Sequence, residues 1–256
     1  MQYSNIISNF TWSYSRIKQF EMCPYAFLLH YIKHTPKKQL FFSNYGSFVH
    51  KILERYLTGE LKKSELASEY LSHFKTRVRG KAPTPEIFKS YFEQGFNYFR
   101  NINFPYKKLL AVEDKMDFEV DGNKFVGVVD CVAQDGDGLV IVDHKSRALK
   151  ERSMRRKPTK TDEELDTYLR QLYLYSVPVK EKYGRFPDRL EFNCFRTGKI
   201  ISERFHESEV EKAKSWVTDS INAITVNDDW SPKIDFWRCC HLCDFCDECE
   251  YYQLSK

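Results

Sequence analysis

Acidic residues recur on predicted β-strands that a sheet would bring side by side. From Ala111 to Lys145, runs rich in Val, Ile and Phe are separated by two turn signals, Asp121-Gly122 and the DGDG segment at 135–138. Such segments are typical of short connections between antiparallel strands. The pattern therefore predicts a meander of three strands in this part of the chain.

The turns also predict which acids face each other. The first turn places Glu113 opposite Asp130, and a second turn centred on residues 136–137 places Asp130 opposite Asp143. Opposed side chains lie about 5 Å apart at Cβ and like charges there repel, so a stable sheet needs raised pKa values or a divalent cation between the acids. Strand alternation puts Lys145 on the face of Asp143, where its ammonium group could orient a nucleophile or offset charge on a phosphate. The alternative is a solvated sheet face on which acids are scattered by chance.

The order and spacing of these residues resemble a known nuclease family. The run G-V-V-D ending at Asp130, followed by hydrophobic residues and by D-x-K at Asp143 and Lys145, resembles the motif of the PD-(D/E)xK nuclease superfamily. The resemblance implies an α/β fold with a restriction-endonuclease-like core, in which helices flank a central mixed sheet containing the antiparallel meander. A helical N-terminal part would precede this core, and a C-terminal Cys-rich metal-binding segment would follow it. The two acids would bind Mg²⁺ or Mn²⁺, and the Lys would assist the attacking water.

One His lies in a second motif. Residues 46–59 have the apolar periodicity of a helix, in which His50 and Glu54 lie on one side. A single His on a partly apolar helix is more often structural than a metal ligand. However, the pattern G-x-x-V-H with a following Glu resembles the signature of RecB-like nucleases, in which the His joins the metal shell. The shell that this resemblance implies consists of the side chains of His50, Asp130 and Asp143 and the backbone carbonyl near His144.

A third motif lies in a helix predicted from Leu165 to Ser176. This helix is expected to end before Pro178, because the residue that precedes a proline disfavours helix. Gln171 and Tyr175 lie one turn apart in it, and such a pair means little by itself. Placed after D-x-K, it resembles the QxxxY motif of RecB-like nucleases, whose Gln and Tyr contact DNA and support the active site. A hairpin around residues 197–198 is predicted to extend the sheet.

Eight Cys residues predict a metal centre rather than disulfides. Five of them lie in the segment from Cys239 to Cys249, and clustered thiolates at C-x₂-C spacing are soft metal ligands. One interpretation is a local zinc site built from Cys240, Cys243, Cys246 and Cys249.

A second interpretation joins the two ends of the chain. The Cys23-Pro24 motif and the pattern C-x₂-C-x-(aromatic)-x₃-C at 240–249 resemble RecB-like nucleases that carry an iron-sulfur cluster, of the AddB type or the CRISPR-associated type. Cys239 and Cys246 depart from the family spacing, so the choice among the C-terminal ligands stays open. The resemblance implies a 4Fe-4S cluster held by Cys23, Cys240, Cys243 and Cys249.

Composition and length bear on the domain organisation. The chain has 256 residues, 42% of them hydrophobic and 16% aromatic, which is enough to bury a sizeable core. The resemblance implies one nuclease domain over residues 1–256, with a mainly helical part at 1–110, a nuclease core at 111–225 and a Cys-rich segment at 236–252 joined to Cys23 through the cluster. No apolar run approaches the roughly 20 residues of a membrane span, and the N-terminus lacks a signal-peptide pattern. We therefore predict a cytoplasmic protein without membrane contact.

The net charge and one basic segment bear on the substrate. The formal charge of +4 is too small to argue nucleic-acid binding by itself. A basic run at 147–160 could grip a phosphate backbone without reading sequence, or it could be a flexible solvated loop. Together the motifs predict a Mg²⁺- or Mn²⁺-dependent DNA exonuclease that acts on single-stranded DNA or DNA ends in recombination, repair or CRISPR adaptation, with proteins of those complexes as partners. The competing hypothesis is a zinc- or iron-sulfur-stabilised DNA-binding or assembly module whose acids are not catalytic.

Overall fold

The computed structural model describes residues 3–254. A five-stranded sheet lies at the centre of this part of the chain, and its strands neighbour one another in chain order. The strands are β1 (Lys108–Val120), β2 (Asn123–Asp135), β3 (Gly138–Lys145), β4 (Arg189–Cys194) and β5 (Lys199–Arg204). Neighbouring strands are antiparallel except β3 and β4, which are parallel. The predicted mixed sheet, its antiparallel meander and the added hairpin of β4 and β5 are confirmed.

The two turns of the meander produce the register expected from their residues. Asp121 and Gly122 have φ angles of 48° and 77°, and two successive residues with positive φ are what a type I′ hairpin turn requires. Across the meander, Val112 faces Cys131 and Cys131 faces Val142. Both predicted registers are therefore confirmed.

Helices precede the sheet and flank it. Before β1 the helical elements are α1 (Ser4–Ile7), α2 (Tyr14–Met22), α3 (Pro24–Phe27), a π-helical turn (Leu28–Ile32), α4 (Phe41–Leu57), a 3₁₀ turn (Lys63–Glu65), α5 (Leu66–Arg77) and α6 (Pro85–Arg100). After β3 they are α7 (Lys160–Tyr183), α8 (Ser208–Thr225), α9 (Phe236–Leu242) and α10 (Glu250–Leu254). No helix among residues 3–254 is long and apolar enough to cross a membrane.

Two apolar clusters hold the elements that carry the candidate site. The larger cluster packs α7 and α8 against the sheet, with Leu172 and Val217 fully buried. The second cluster joins α4, α5 and α6, and Phe195, which follows β4, packs into it. Val49 and Leu53 of α4 are fully buried in this second cluster. Because burial of these side chains removes apolar surface from water, α4 is held firmly beside the end of the sheet strands.

Two helices are longer than their sequences predicted. α4 begins at Phe41 rather than at Gly46, because the buried ring of Phe41 extends the apolar face of the helix. α7 begins after its cap residue Thr159 and continues through Pro178 to its end, so the prediction that this helix stops before the proline is wrong. A proline removes one backbone donor from a helix. Here Pro178 and the next residue, Val179, are both buried, and that burial offsets the lost hydrogen bond.

Candidate active site

Three side chains of metal-ligand type meet between α4 and the sheet. His50 lies on α4, Glu113 on β1 and Asp130 on β2. Nδ1 of His50 is 3.6 Å from Oε1 of Glu113 and 3.6 Å from Oδ2 of Asp130. One ligand atom of each residue lies within 4.8 Å of the other two. Carboxylate oxygens and an imidazole nitrogen at this spacing allow one divalent cation to contact all three.

The backbone of His144 orients this group. Its N–H donates to Oδ2 of Asp130 at 2.7 Å, and its carbonyl oxygen lies 2.9 Å from Nε2 of His50. Because a carbonyl can only accept, Nε2 of His50 carries a proton, and the neutral imidazole would present the lone pair of Nδ1 to a cation beside Glu113 and Asp130. The side chain of His144 is buried elsewhere, with Nδ1 lying 3.0 Å from Nδ2 of Asn193. The carbonyl of His144, and not its imidazole, therefore lies at the site.

Glu113 reaches the site from a distorted position in β1. Its φ is 48°, a left-handed conformation that few residues other than Gly adopt. Its neighbours Val112 and Asp114 pair with β2 in one unbroken register, so the distortion is confined to a single residue. Strained residues of this kind cluster at functional sites, where the surrounding structure determines them. The predicted strand register includes Glu113 among the opposed acids, but the metal shell implied by the family resemblance omits it.

A second group of side chains extends from β3 to α7. Nζ of Lys145 lies 2.8 Å from Oδ2 of Asp143 and 3.3 Å from Oε1 of Gln171. Nε2 of Gln171 donates to the hydroxyl of Tyr175 at 3.0 Å. Asp143 is only 4% exposed, so its carboxylate is largely withdrawn from water. The structure thus brings the D-x-K pair and the Q-x-x-x-Y pair into one row of contacts.

The charges of the two groups influence one another. Burial raises the pKa of Asp130, and the nearby charge of Asp143 raises it further. Burial opposes the charged form of His50, but Glu113 and Asp130 raise its pKa above the ordinary range. Burial also opposes the charged form of Lys145, and Asp143 nevertheless raises its pKa. These are the crowded acids predicted from the strand register, which need a proton or a cation between them.

Gly127 on β2 explains how Tyr175 fits against the sheet. A Cβ atom at this position would lie 2.4 Å from Cε1 of Tyr175, a distance that no side chain can occupy without movement of the ring. The Gly of the G-V-V-D run is therefore required by the close approach of α7 to β2.

We expect Gly127→Ala to lower turnover about tenfold or more, because a displaced Tyr175 ring moves Gln171 and with it Lys145. Initial rates of DNA cleavage measure this effect, and circular dichroism verifies that the fold is kept. In a Tyr175→Ala background, where space is available, the added Ala should have little further effect. Equal losses in both backgrounds would show that Gly127 acts in some other way.

Five Cys residues gather at a separate place, between the first helices and the C-terminal segment. They line one cavity of about 330 Å³, and they are Cys23, Cys239, Cys243, Cys246 and Cys249. Cys240 is exposed, and its thiol contacts the hydroxyl of Tyr252. Burial raises the pKa of Cys243 to about 12. The structure therefore groups three of the four predicted cluster ligands and places Cys239, rather than Cys240, beside them.

Part of the basic run at 147–160 forms ion pairs with acidic residues of the same chain. Nη2 of Arg152 lies 2.6 Å from Oδ1 of Asp166, and its Nε lies 3.0 Å from Oε2 of Glu203. Arg155 and Arg156, in the second half of the run, are exposed to a phosphate backbone, as is Lys150 in the first half.

Two solved structures are similar to this chain. The crystal structure of a "Putative exonuclease" from Eubacterium rectale has 15% sequence identity and a TM-score of 0.52, and the match covers 96% of this chain and 90% of that chain. At this identity the likeness shows the fold alone. A second structure, that of SSO0001, is 14% identical over 93% of this chain and 95% of that chain, but its TM-score of 0.29 is too low to support an argument. No curated protein sequence is significantly similar to the chain.

Family membership is decided by the sequence model that matches almost the whole chain. The model describes the PD-(D/E)XK nuclease superfamily, and it matches residues 11–251. This range contains the His50 group and the D-x-K pair on β3. The chain belongs to the PD-(D/E)XK nuclease superfamily.

Proposed function

We propose that this nuclease is a divalent-metal-dependent DNA exonuclease of the RecB-like branch. The observation that carries the proposal is the meeting of His50, Glu113 and Asp130 within 4.8 Å, beside the ion pair of Asp143 and Lys145. The similar fold of the Eubacterium rectale protein, which is described as a "Putative exonuclease", is consistent with this proposal. Single-stranded DNA or DNA ends would be the substrate, in recombination, repair or CRISPR adaptation. One nuclease domain over residues 1–256 would carry the activity.

The donor set fits Mg²⁺ or Mn²⁺. Carboxylates suit both ions, and a single imidazole is well accepted by Mn²⁺. When bound, the ion would polarise the scissile phosphate and lower the pKa of a coordinated water. The side chains that would hold it are those of His50, Glu113, Asp130 and Asp143. The carbonyl of His144, predicted as a ligand, would instead orient His50, because it accepts from Nε2 on the side of the imidazole opposite to Nδ1.

Lys145 would act as a fixed cation and not as a base. Asp143 raises its pKa against the opposing effect of burial, so the amine remains protonated at neutral pH. Its Nζ is held between Oδ2 of Asp143 at 2.8 Å and Oε1 of Gln171 at 3.3 Å. An ammonium group held in this way can donate to the attacking water or offset negative charge on the phosphate. Tyr175 supports the arrangement by holding Gln171.

The metal requirement gives a direct test. We expect EDTA to abolish cleavage, and Mg²⁺ or Mn²⁺ to restore it, whereas Ca²⁺ should not, since the larger ion coordinates more loosely. Glu113→Gln should raise the Mg²⁺ concentration needed for half-maximal rate by about tenfold, because one charged ligand is lost. Asp114→Asn is the matched control, as Asp114 lies next in β1 and pairs with Lys182 at 2.7 Å instead. Full activity in excess EDTA would contradict the metal mechanism.

The exonuclease part of the proposal is tested with substrate topology. Linear single strands labelled at one end should release short products, while circular single strands of the same sequence should persist. Rapid cutting of the circle would instead indicate an endonuclease.

The Cys cavity supports an iron-sulfur cluster more than a zinc ion. Tetrahedral zinc places its sulfur ligands about 3.8 Å apart, as follows from Zn–S bonds of about 2.3 Å. Among residues 3–254, no three Cys sulfurs lie within 4.8 Å of one another. A 4Fe-4S cluster spreads its thiolates more widely, and Cys23, Cys243 and Cys249 line the same cavity. Cys240 has the spacing of the family motif for the fourth ligand, whereas Cys239 and Cys246 both line the cavity.

A further inference from the structure

A cavity opens beside His50 at the surface of the candidate active site. Its volume is about 540 Å³. Glu113 and Ser146 line it from the sheet, and Phe42 and Lys51 line it from α4. A strand of DNA with its scissile phosphate at the metal site would pass through this opening.

Three aromatic rings lie in a row beyond this cavity, and we name them the aromatic strip. Two of them are half-buried against the second apolar cluster, and the third is exposed. They are Phe42 on α4, Tyr91 on α6 and Trp237 on α9. The ring centroid of Phe42 is 5.2 Å from that of Tyr91 and 6.2 Å from that of Trp237. Trp237 is 50% exposed, so the hydrophobic core does not account for its position.

A guanidinium group joins the aromatic strip to the catalytic residues. The guanidinium carbon of Arg196 lies 3.6 Å from the ring centroid of Tyr91. Its Nη1 donates to the carbonyl of Ser146 at 3.4 Å, and Ser146 directly follows Lys145. Its Nε donates to Oε1 of Gln94 at 2.7 Å. A fixed positive charge thus lies between the rings and the D-x-K pair.

We propose that the aromatic strip stacks the unpaired bases of single-stranded DNA next to the scissile phosphate. Every base has a face that an aromatic ring can stack on, whatever its sequence, and base pairing in a duplex hides those faces. Arg196 would contribute a phosphate contact or a cation–π contact in the same row. The proposal rests on the proposed nuclease function and adds to it the reason for a single-strand preference.

Binding without cleavage tests this proposal separately from the nuclease activity. Fluorescence anisotropy in EDTA would compare a labelled single-stranded oligonucleotide with a blunt-ended duplex of the same sequence, in which all bases are paired. We expect Trp237→Ala to weaken binding of the single strand about tenfold, the loss expected for one base–aromatic contact, and to leave duplex binding unchanged. Trp237→Phe should keep most of the affinity, because a ring is retained.

Phe236→Ala is the matched control. Phe236 is also on α9 and is 54% exposed. Its ring centroid lies 5.9 Å from that of Tyr252, so it packs against Tyr252 rather than against the aromatic strip. It should leave single-strand binding unchanged. Equal weakening by Phe236→Ala, equal weakening for single strand and duplex, or no effect of Trp237→Ala would each overturn the proposal. Selective weakening in a protein that cleaves no DNA would retain the aromatic strip and refute the nuclease function instead.

Discussion

Lys145→Met is expected to reduce the rate of DNA cleavage by at least about a hundredfold, the usual cost of removing one preorganised charge from a transition state. The ammonium group is the single cation in contact with both Asp143 and Gln171 among the described residues. Met keeps most of the length and apolar volume of the side chain, so the packing around it changes little. The loss should appear in kcat, because the charge acts on the reacting phosphate more than on distant parts of the DNA.

Asp143→Asn should reduce the rate at least as much but should be tolerated better by the fold. Lys145→Met leaves the carboxylate of Asp143, which is 4% exposed, without its cation, and an unpaired buried charge is strongly destabilising. Asp143→Asn removes a charge that raises the pKa of Asp130. The relief of repulsion between Asp143 and Asp130 therefore offsets part of the stability lost with the ion pair between Asp143 and Lys145.

Thermal unfolding of both variants and of wild type tests this order of stability. Asp117→Asn, at an exposed position of β1, is a control for the loss of one acid from the sheet. Wild-type turnover in either active-site variant would remove Asp143 or Lys145 from the proposed mechanism. If the Asp143→Asn protein were less stable than the Lys145→Met protein, the repulsion between Asp130 and Asp143 would be shown to be weak.

The sheet was predictable because its register is determined locally. Asp121-Gly122 favours one turn type, and that turn determines the pairs from Val120 and Asn123 back to Ala111 and Val132, beyond which an irregularity between Leu109 and Ala111 shifts the register. The placement of Asp130 and Asp143 near each other followed from these few residues. The contact between Lys145 and Gln171 joins β3 to α7, and neither turn chemistry nor periodicity predicts it. The family resemblance implied only that Gln171 and Tyr175 support the active site, without this contact.

Other features depend on tertiary packing and were outside the reach of sequence patterns. The local rule for Pro178 predicted the end of α7, but burial of that segment overrode it. Glu113 adopts a left-handed φ that no local signal favours for Glu, so its approach to His50 emerged only from the structure. Glu54, on the same helix as His50, instead pairs with Lys51 at 2.8 Å.

Cys23→Ser is expected to remove the metal centre at the opposite end of the chain. A local zinc site of Cys240, Cys243, Cys246 and Cys249 would be unaffected by that change. A cluster that includes Cys23 would lose a ligand and with it a covalent link between the start of α3 and the C-terminal segment. Because metal binding is coupled to folding, the variant should be colourless and iron-poor, with a lower melting temperature and greater protease sensitivity at both ends.

Other contacts between the N-terminal helices and the C-terminal segment determine how far the two separate once the metal centre is lost. The hydroxyl of Tyr25 donates to Oε1 of Glu250 at 3.1 Å, and the amide N–H of Lys38 donates to the carbonyl of Asp244 at 2.8 Å. Single hydrogen bonds of this kind each contribute only about 1 kcal/mol, far less than a structural metal centre. They should therefore slow the separation of the ends without preventing it.

Anaerobic purification followed by iron and zinc analysis and a visible spectrum provides the measurement. Cys131→Ser and Cys194→Ser are the controls, since both thiols are buried in the sheet, and these proteins should keep their iron. Single substitutions of Cys239, Cys240 and Cys246 then identify the fourth ligand as the one whose loss also removes the iron. A Cys23→Ser protein with stoichiometric iron would exclude Cys23 as a ligand and with it the link between the two ends of the chain, whereas a wild type with zinc and no iron would refute the iron-sulfur cluster itself.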